Sequence, residues 1–100
     1  MDYASWEYDD ASFLGGKAVD ETGNYVQNWA HDMYTDLLTA QLACVALCDG
    51  CSGVTGHHQS NGYSVRRFSK FTTPGPGLNA DAFSYLKPDK PCGRPFNQKI

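Results

Sequence analysis

A chain of 100 residues with a net charge of −3 is long enough for one hydrophobic core, so residues 1–100 are expected to form a single domain. A 41% hydrophobic fraction with 13 aromatic side chains argues against disorder, and a pI of 5.4 without a basic, aromatic-laced run argues against a nucleic-acid partner. No apolar run approaches the roughly 20 residues that cross a bilayer, so no membrane span is expected.

The charge is unevenly spread. Residues 1–50 carry nine acids and the single base Lys17, whereas residues 51–100 carry seven bases and two acids, Asp81 and Asp89. Two outcomes follow: the halves interleave and their charges mix, or a dipolar surface favours head-to-tail association. The opening "MDYASWEYDD" is acidic and lacks a charged-then-apolar leader, so an extracellular chain is expected to be a mature form or a fragment. No Asn-x-Ser/Thr sequon occurs.

In the first third, aromatics alternate at short intervals with Gly-Gly, Thr-Gly-Asn and Asp-Glu punctuation, which predicts short strands and turns. Tyr3, Trp6, Tyr8 and Phe13 are candidate core anchors. "HDMYTDLL" reads as a strand or an extra helical turn, with a strand ending near Leu38 preferred. A helix follows over about residues 40–49: Thr39 is a suitable N-cap, Leu42, Val45 and Ala46 recur at three- and four-residue spacing, and Asp49-Gly50 is a stop with Gly50 suited to a left-handed cap. Three strands come next, in "SGVTGHH", in "GYSVRRFSKF" after the turn signal Asn61-Gly62, and in "DAFSYLK". Pro74 and Pro76 stiffen the loop before the last of these. One helix among several short strands predicts an α+β fold.

The cluster "ACVALCDGC" holds Cys44, Cys48 and Cys51, and Cys92 follows in the tail. Cys-x3-Cys-x2-Cys is the spacing of radical-SAM iron–sulfur sites, but the chain is far too short for their barrel. Zinc would use Cys48, Cys51 and one of His57 and His58, yet no second pair completes four ligands, and adjacent histidines in a strand face opposite ways. A thioredoxin-like centre needs its first cysteine at a helix N-terminus, and Cys48 stands at the C-terminal end, where the dipole opposes a thiolate. Structural disulfides are the expected reading, with no metal and no cofactor; four cysteines allow three pairings.

The segment "TAQLACVALCDGCSGVTGHHQSNGYSVRRFSKFTTPGPGLNADAFSYLKP" resembles the second half of a PAN/Apple domain, over about residues 39–88. Cys44 and Cys48 match that family's helix pair, Cys51-Ser52-Gly53-Val54 its next strand, and Tyr85-Leu86-Lys87 its last. Ser64 stands where the family carries a cysteine, so the usual partner of Cys44 is missing. The resemblance implies a small antiparallel sheet curled around a single helix, stapled by disulfides. It also implies a non-catalytic extracellular module that binds protein or carbohydrate. By family logic Cys48 pairs with Cys51 and Cys44 with Cys92; Cys44–Cys51 with Cys48–Cys92 is the other pairing kept open.

No catalytic constellation emerges. His57 or His58, Ser60 and Asp49 make a triad only on paper, and no Gly-x-Ser-x-Gly elbow is present. His57, His58, Tyr63, Arg66, Arg67 and Lys70 fall on neighbouring strands and form a candidate patch for acidic glycans or carboxylates. Strand alternation sends Arg66 and Arg67 to opposite faces, so one is expected against packed sheet unless a bulge intervenes. Expected partners are therefore a protein or glycan ligand. The alternative is copies of the chain itself, in a filament or surface layer joined through the acidic and basic halves.

Overall fold

A computed structural model describes residues 6–27, 33–57, 62–73 and 81–88. Among the described residues, six strands and one α-helix follow in chain order: β1 (Glu7–Asp10), β2 (Phe13–Leu14), α1 (Leu37–Ala46), β3 (Gly53–His57), β4 (Gly62–Arg66), β5 (Phe71–Thr72) and β6 (Ala82–Leu86). Strands β1, β6, β3 and β4 form an antiparallel sheet in that order, and β2 pairs with β5 in a separate ribbon. The fold is α+β, with one helix packed on a small antiparallel sheet. Tyr3, Pro74, Pro76, Asn61 and Cys92 lie outside the described residues.

The helix begins three residues earlier than the sequence suggests. Asp36 is the N-cap, extended at φ −129° and ψ 130°, and its carboxylate accepts the Thr39 N–H at 2.9 Å and the Thr39 hydroxyl at 3.1 Å. Thr39 is thus the third helical residue, held by the cap rather than serving as one. The stretch before it is not a strand up to Leu38: Tyr34 makes one isolated bridge to Tyr63, and the chain then turns into the helix. At the other end the left-handed residue is Cys48, at φ +55°, and not Gly50. Gly50 lies buried in a following 3-10 turn, Cys48–Gly50, where its carbonyl accepts the Val19 N–H at 3.0 Å.

Both faces of the sheet are covered. On one, Val54 and Val65 meet Ala40 and Cys44 of α1, with Trp6 and Ala18 completing the buried cluster and Tyr34, Tyr63 and Tyr85 at its margin. On the other, β2 crosses β3 and β6 so closely that a side chain at Gly53 would meet Leu14 and the Tyr85 carbonyl. A segment joining β4 to β5 breaks what the sequence offers as one strand: Arg67 and Phe68 donate their N–H groups to Gly16 and Gly15, at 3.0 Å each. Of the candidate anchors, Trp6 is core, Phe13 is partly buried, and Tyr8 is 48% exposed on β1.

Candidate binding site

Of the six residues expected to line one patch, the five described ones are not brought together. His57 ends β3 opposite Gly62, with Nδ1 3.2 Å from an Asp81 carboxylate oxygen. Arg66 sits at the far end of the same strand pair, opposite Gly53. Tyr63 projects from the helix-covered face, edge-on to Phe83 at 6.0 Å between ring centroids. Arg67 and Lys70 are exposed beyond β4, and His58 lies outside the described residues.

Arg66 is corrected from ligand to framework. Only 3% of it is exposed; its Nε donates to Ser64 Oγ and its Nη1 to the Leu14 carbonyl, each at 2.8 Å. Burial pushes its pKa down to about 10, so the guanidinium still carries its charge at neutral pH. Arg66 points inward and Arg67 is exposed, but β4 ends at Arg66, so Arg67 lies past the strand where its N–H bonds to Gly16.

Arg66 belongs to a buried polar ladder that runs across the sheet. Register places Ser84, Thr55 and Ser64 side by side on β6, β3 and β4, all with no exposed surface. Ser64 Oγ donates to the Thr55 carbonyl at 3.2 Å, and Ser84 Oγ donates to the Ser12 carbonyl at 3.0 Å. With the Arg66 bond to Leu14, these bonds tie β2 and the turn before it to the sheet.

The cysteine hub opens onto a cleft instead. A disulfide joins Cys44 to Cys51, with Cα atoms 5.2 Å apart. This overturns the favoured Cys48–Cys51 and Cys44–Cys92 pairings. Cys44 and Cys51 are both core residues, 0% and 1% exposed, whereas the left-handed turn at Cys48 carries that residue out of the core. Cys48 is also disulfide-bonded, to a partner outside the described residues.

Beside this hub lies a cleft of about 380 Å³ lined by Cys48, Asp49, Cys51, Ser52, Ser69, Leu86, Lys87 and Pro88. Lys87 spans its base: its N–H donates to the Ser52 carbonyl at 2.8 Å and its Nζ to the Cys48 carbonyl at 2.6 Å. Burial lowers the Lys87 pKa from its ordinary value, and nearby Asp49 partly offsets this. Ser52 Oγ donates to the Arg67 carbonyl at 2.6 Å, which leaves its lone pairs for a ligand donor. The cleft is therefore lined by an ammonium, a carboxylate and two hydroxyls, with Leu86 and Pro88 beside them. Sequence reading used Asp49 as a helix stop and Lys87 as a strand end; only the fold shows that they line one cleft.

Among the described residues no three His, Cys, Asp or Glu side chains converge as a metal site, and no helix is long and apolar enough to cross a membrane. No family model, no curated protein and no solved structure matches the chain.

Proposed function

We propose that this protein is a non-catalytic extracellular recognition or adhesion module of the PAN/Apple kind, which binds protein or carbohydrate through the cleft beside its cysteine hub. The observation that carries the reading is the cleft itself. Its volume is in the range of small-ligand sites, and mixed donors and acceptors suit a hydroxyl-rich ring or a polar side chain. The disulfide-bonded cysteines support an oxidising, extracellular setting. The test is a glycan array followed by calorimetry of any hit. Lys87→Met and Asp49→Asn are expected to abolish binding with the denaturation transition still cooperative; unchanged affinity in both variants refutes the site.

A second reading, a self-assembling structural subunit, has one observation in its favour. Acidic β1 and β4 occupy the two outer positions of the sheet, and Arg67 and Lys70 are exposed just beyond β4. Charge-driven assembly of this kind dissolves as ionic strength rises, so light scattering across a salt series separates the two readings.

A further inference from the structure

Lys87 follows β6 directly, and two bonds pin it. Its N–H donates to the Ser52 carbonyl at 2.8 Å, which continues the β3–β6 pairing by one step, and its Nζ donates to the Cys48 carbonyl at 2.6 Å. An ammonium carries three N–H groups, and the Cys48 carbonyl takes one of them. Among the described residues no carboxylate oxygen lies within ion-pair distance of Nζ. Asp49 lines the same cleft, but it acts on Lys87 only at longer range and has a further interaction of its own. The cleft wall thus holds a half-buried cation with two donors unspent. A charge drawn out of water is costly until an opposite charge meets it, and burial accordingly lowers the Lys87 pKa. A carboxylate entering the cleft supplies what the fold leaves out.

The surroundings narrow the class of acid. Ser52 Oγ spends its proton on the Arg67 carbonyl, so beside the ammonium it can only accept, and the ligand has to bring a donor. Arg67 and Lys70 flank Ser69 of the cleft in the chain and are both exposed, which favours the approach of an anion. Asp49 sets the limit: one ammonium beside one carboxylate balances a single negative charge, not a run of sulfates. A sugar acid matches this combination, with one carboxylate on a ring whose hydroxyls donate. An acidic peptide brings the carboxylate, but its remaining donors lie along an extended main chain, which is read by a sheet edge or a groove more than by a concave cleft.

We infer that the cleft, taken as the binding site proposed above, selects a carboxylate-bearing sugar, whose acid group accepts from the spare N–H groups of Lys87 while a ring hydroxyl donates to Ser52 Oγ.

The probes are methyl glucuronide, methyl galacturonide and their uncharged carboxamides, titrated at low salt into the isotope-labelled full chain and read by amide resonances. At least one acid is expected to shift Ser52 and Lys87 and to bind about tenfold tighter than its amide, as a charge-assisted hydrogen bond requires. Lys87→Met is expected to bring acid and amide to equal affinity; the comparison of ligands on the native chain stands even where that variant does not fold. Equal affinity of acid and amide on the native chain, with both shifting the cleft residues, overturns the carboxylate selection and leaves the cleft as a binding site. Shifts confined to residues away from the cleft overturn the selection and the cleft together. Silence from all four probes overturns the sugar-acid assignment, and so does tighter binding by N-acetylglutamate amide, which makes the ligand a protein.

Discussion

Thr55 Oγ1 and Ser84 Oγ lie 2.9 Å apart, fully buried, and the neighbouring bonds decide which of them donates. Ser84 spends its proton on the Ser12 carbonyl, so Thr55 must donate to Ser84 while its oxygen accepts the Leu14 N–H at 2.9 Å. The result is a directed relay from Leu14 through Thr55 and Ser84 to Ser12, stitching β2 to the sheet. Thr55→Val keeps the shape and removes the hydroxyl, stranding the Leu14 donor. It is expected to cost about 1–3 kcal/mol by urea denaturation. Combined with Ser84→Ala, the loss falls short of the sum of the single losses, because both variants cut one chain of bonds.

Arg66 and Arg67 are adjacent and are expected to respond oppositely to substitution. Arg66→Met fills similar space but leaves the Leu14 carbonyl and Ser64 Oγ without the donors they now have, for a loss of about 2–4 kcal/mol. Arg66→Lys recovers only part, since an ammonium lacks the fork that reaches both acceptors. Arg67→Met stays within about 0.5 kcal/mol, its side chain being exposed. Denaturant midpoints for the three variants check the ordering.

Strands β3, β4 and β6 were legible because β-formers sit between clear turn signals, and the body of α1 because it is made of good helix formers; its buried face was not, since Leu42 is 52% exposed and Ala46 exposed while Ala40, Gln41 and Cys44 turn inward. Nor was the face of each arginine. Apolar alternation marks the packed side only when the other side meets water, and here α1 covers one face and β2 the other. The helix start slipped because Asp36 and Thr39 both suit a cap, and only the backbone geometry ranks them. The cleft was illegible for a related reason: Asp49 and Lys87 come to line one cleft only once β6 lies beside β3 and the chain turns left-handed at Cys48.

Peptide mapping without reduction is expected to give Cys44–Cys51 and Cys48–Cys92, since Cys48 is bonded and Cys92 is the one cysteine the first bridge and Cys48 leave over. Chain entropy ranks the two bridges. Removing the short one by paired alanine substitution costs about 2.5 kcal/mol, and removing the long one about 4 kcal/mol. Free thiols in the native protein, or a Cys48–Cys51 peptide, would contradict this pairing.

Asp20 makes the turn from Val19 to Tyr25 sensitive to acid. Its carboxylate accepts from the Thr22 hydroxyl and from the Thr22 and Asn24 N–H groups, and these bonds hold its pKa below the ordinary value of 3.8. A depressed carboxylate pKa stabilises the fold above its unfolded value, and that contribution fades as pH falls through the folded one. The Thr22 and Asn24 amide resonances are therefore expected to shift below about pH 3.8, in a step that Asp20→Asn removes. A shift centred above that value would contradict the assignment.

Gly53 is where the two covered faces of the sheet leave least room. A Cβ there would run into the Leu14 side chain on one side and the Tyr85 carbonyl on the other, with Leu86 Cα at 3.2 Å. Leu14 can yield by changing rotamer, but the carbonyl belongs to the β3–β6 ladder and moves only if that ladder opens. Its φ is outside the left-handed region, so the penalty of Gly53→Ala is steric. The substitution is expected to destabilise by about 3 kcal/mol, the upper end for overpacking, because backbone has to give. Adding Leu14→Ala removes one obstacle and leaves the other, so it relieves the clash without restoring the strand pairing. Amide exchange reads this directly: Gly53→Ala accelerates exchange at Lys87, whose N–H donates to Ser52, and the second substitution does not reverse it.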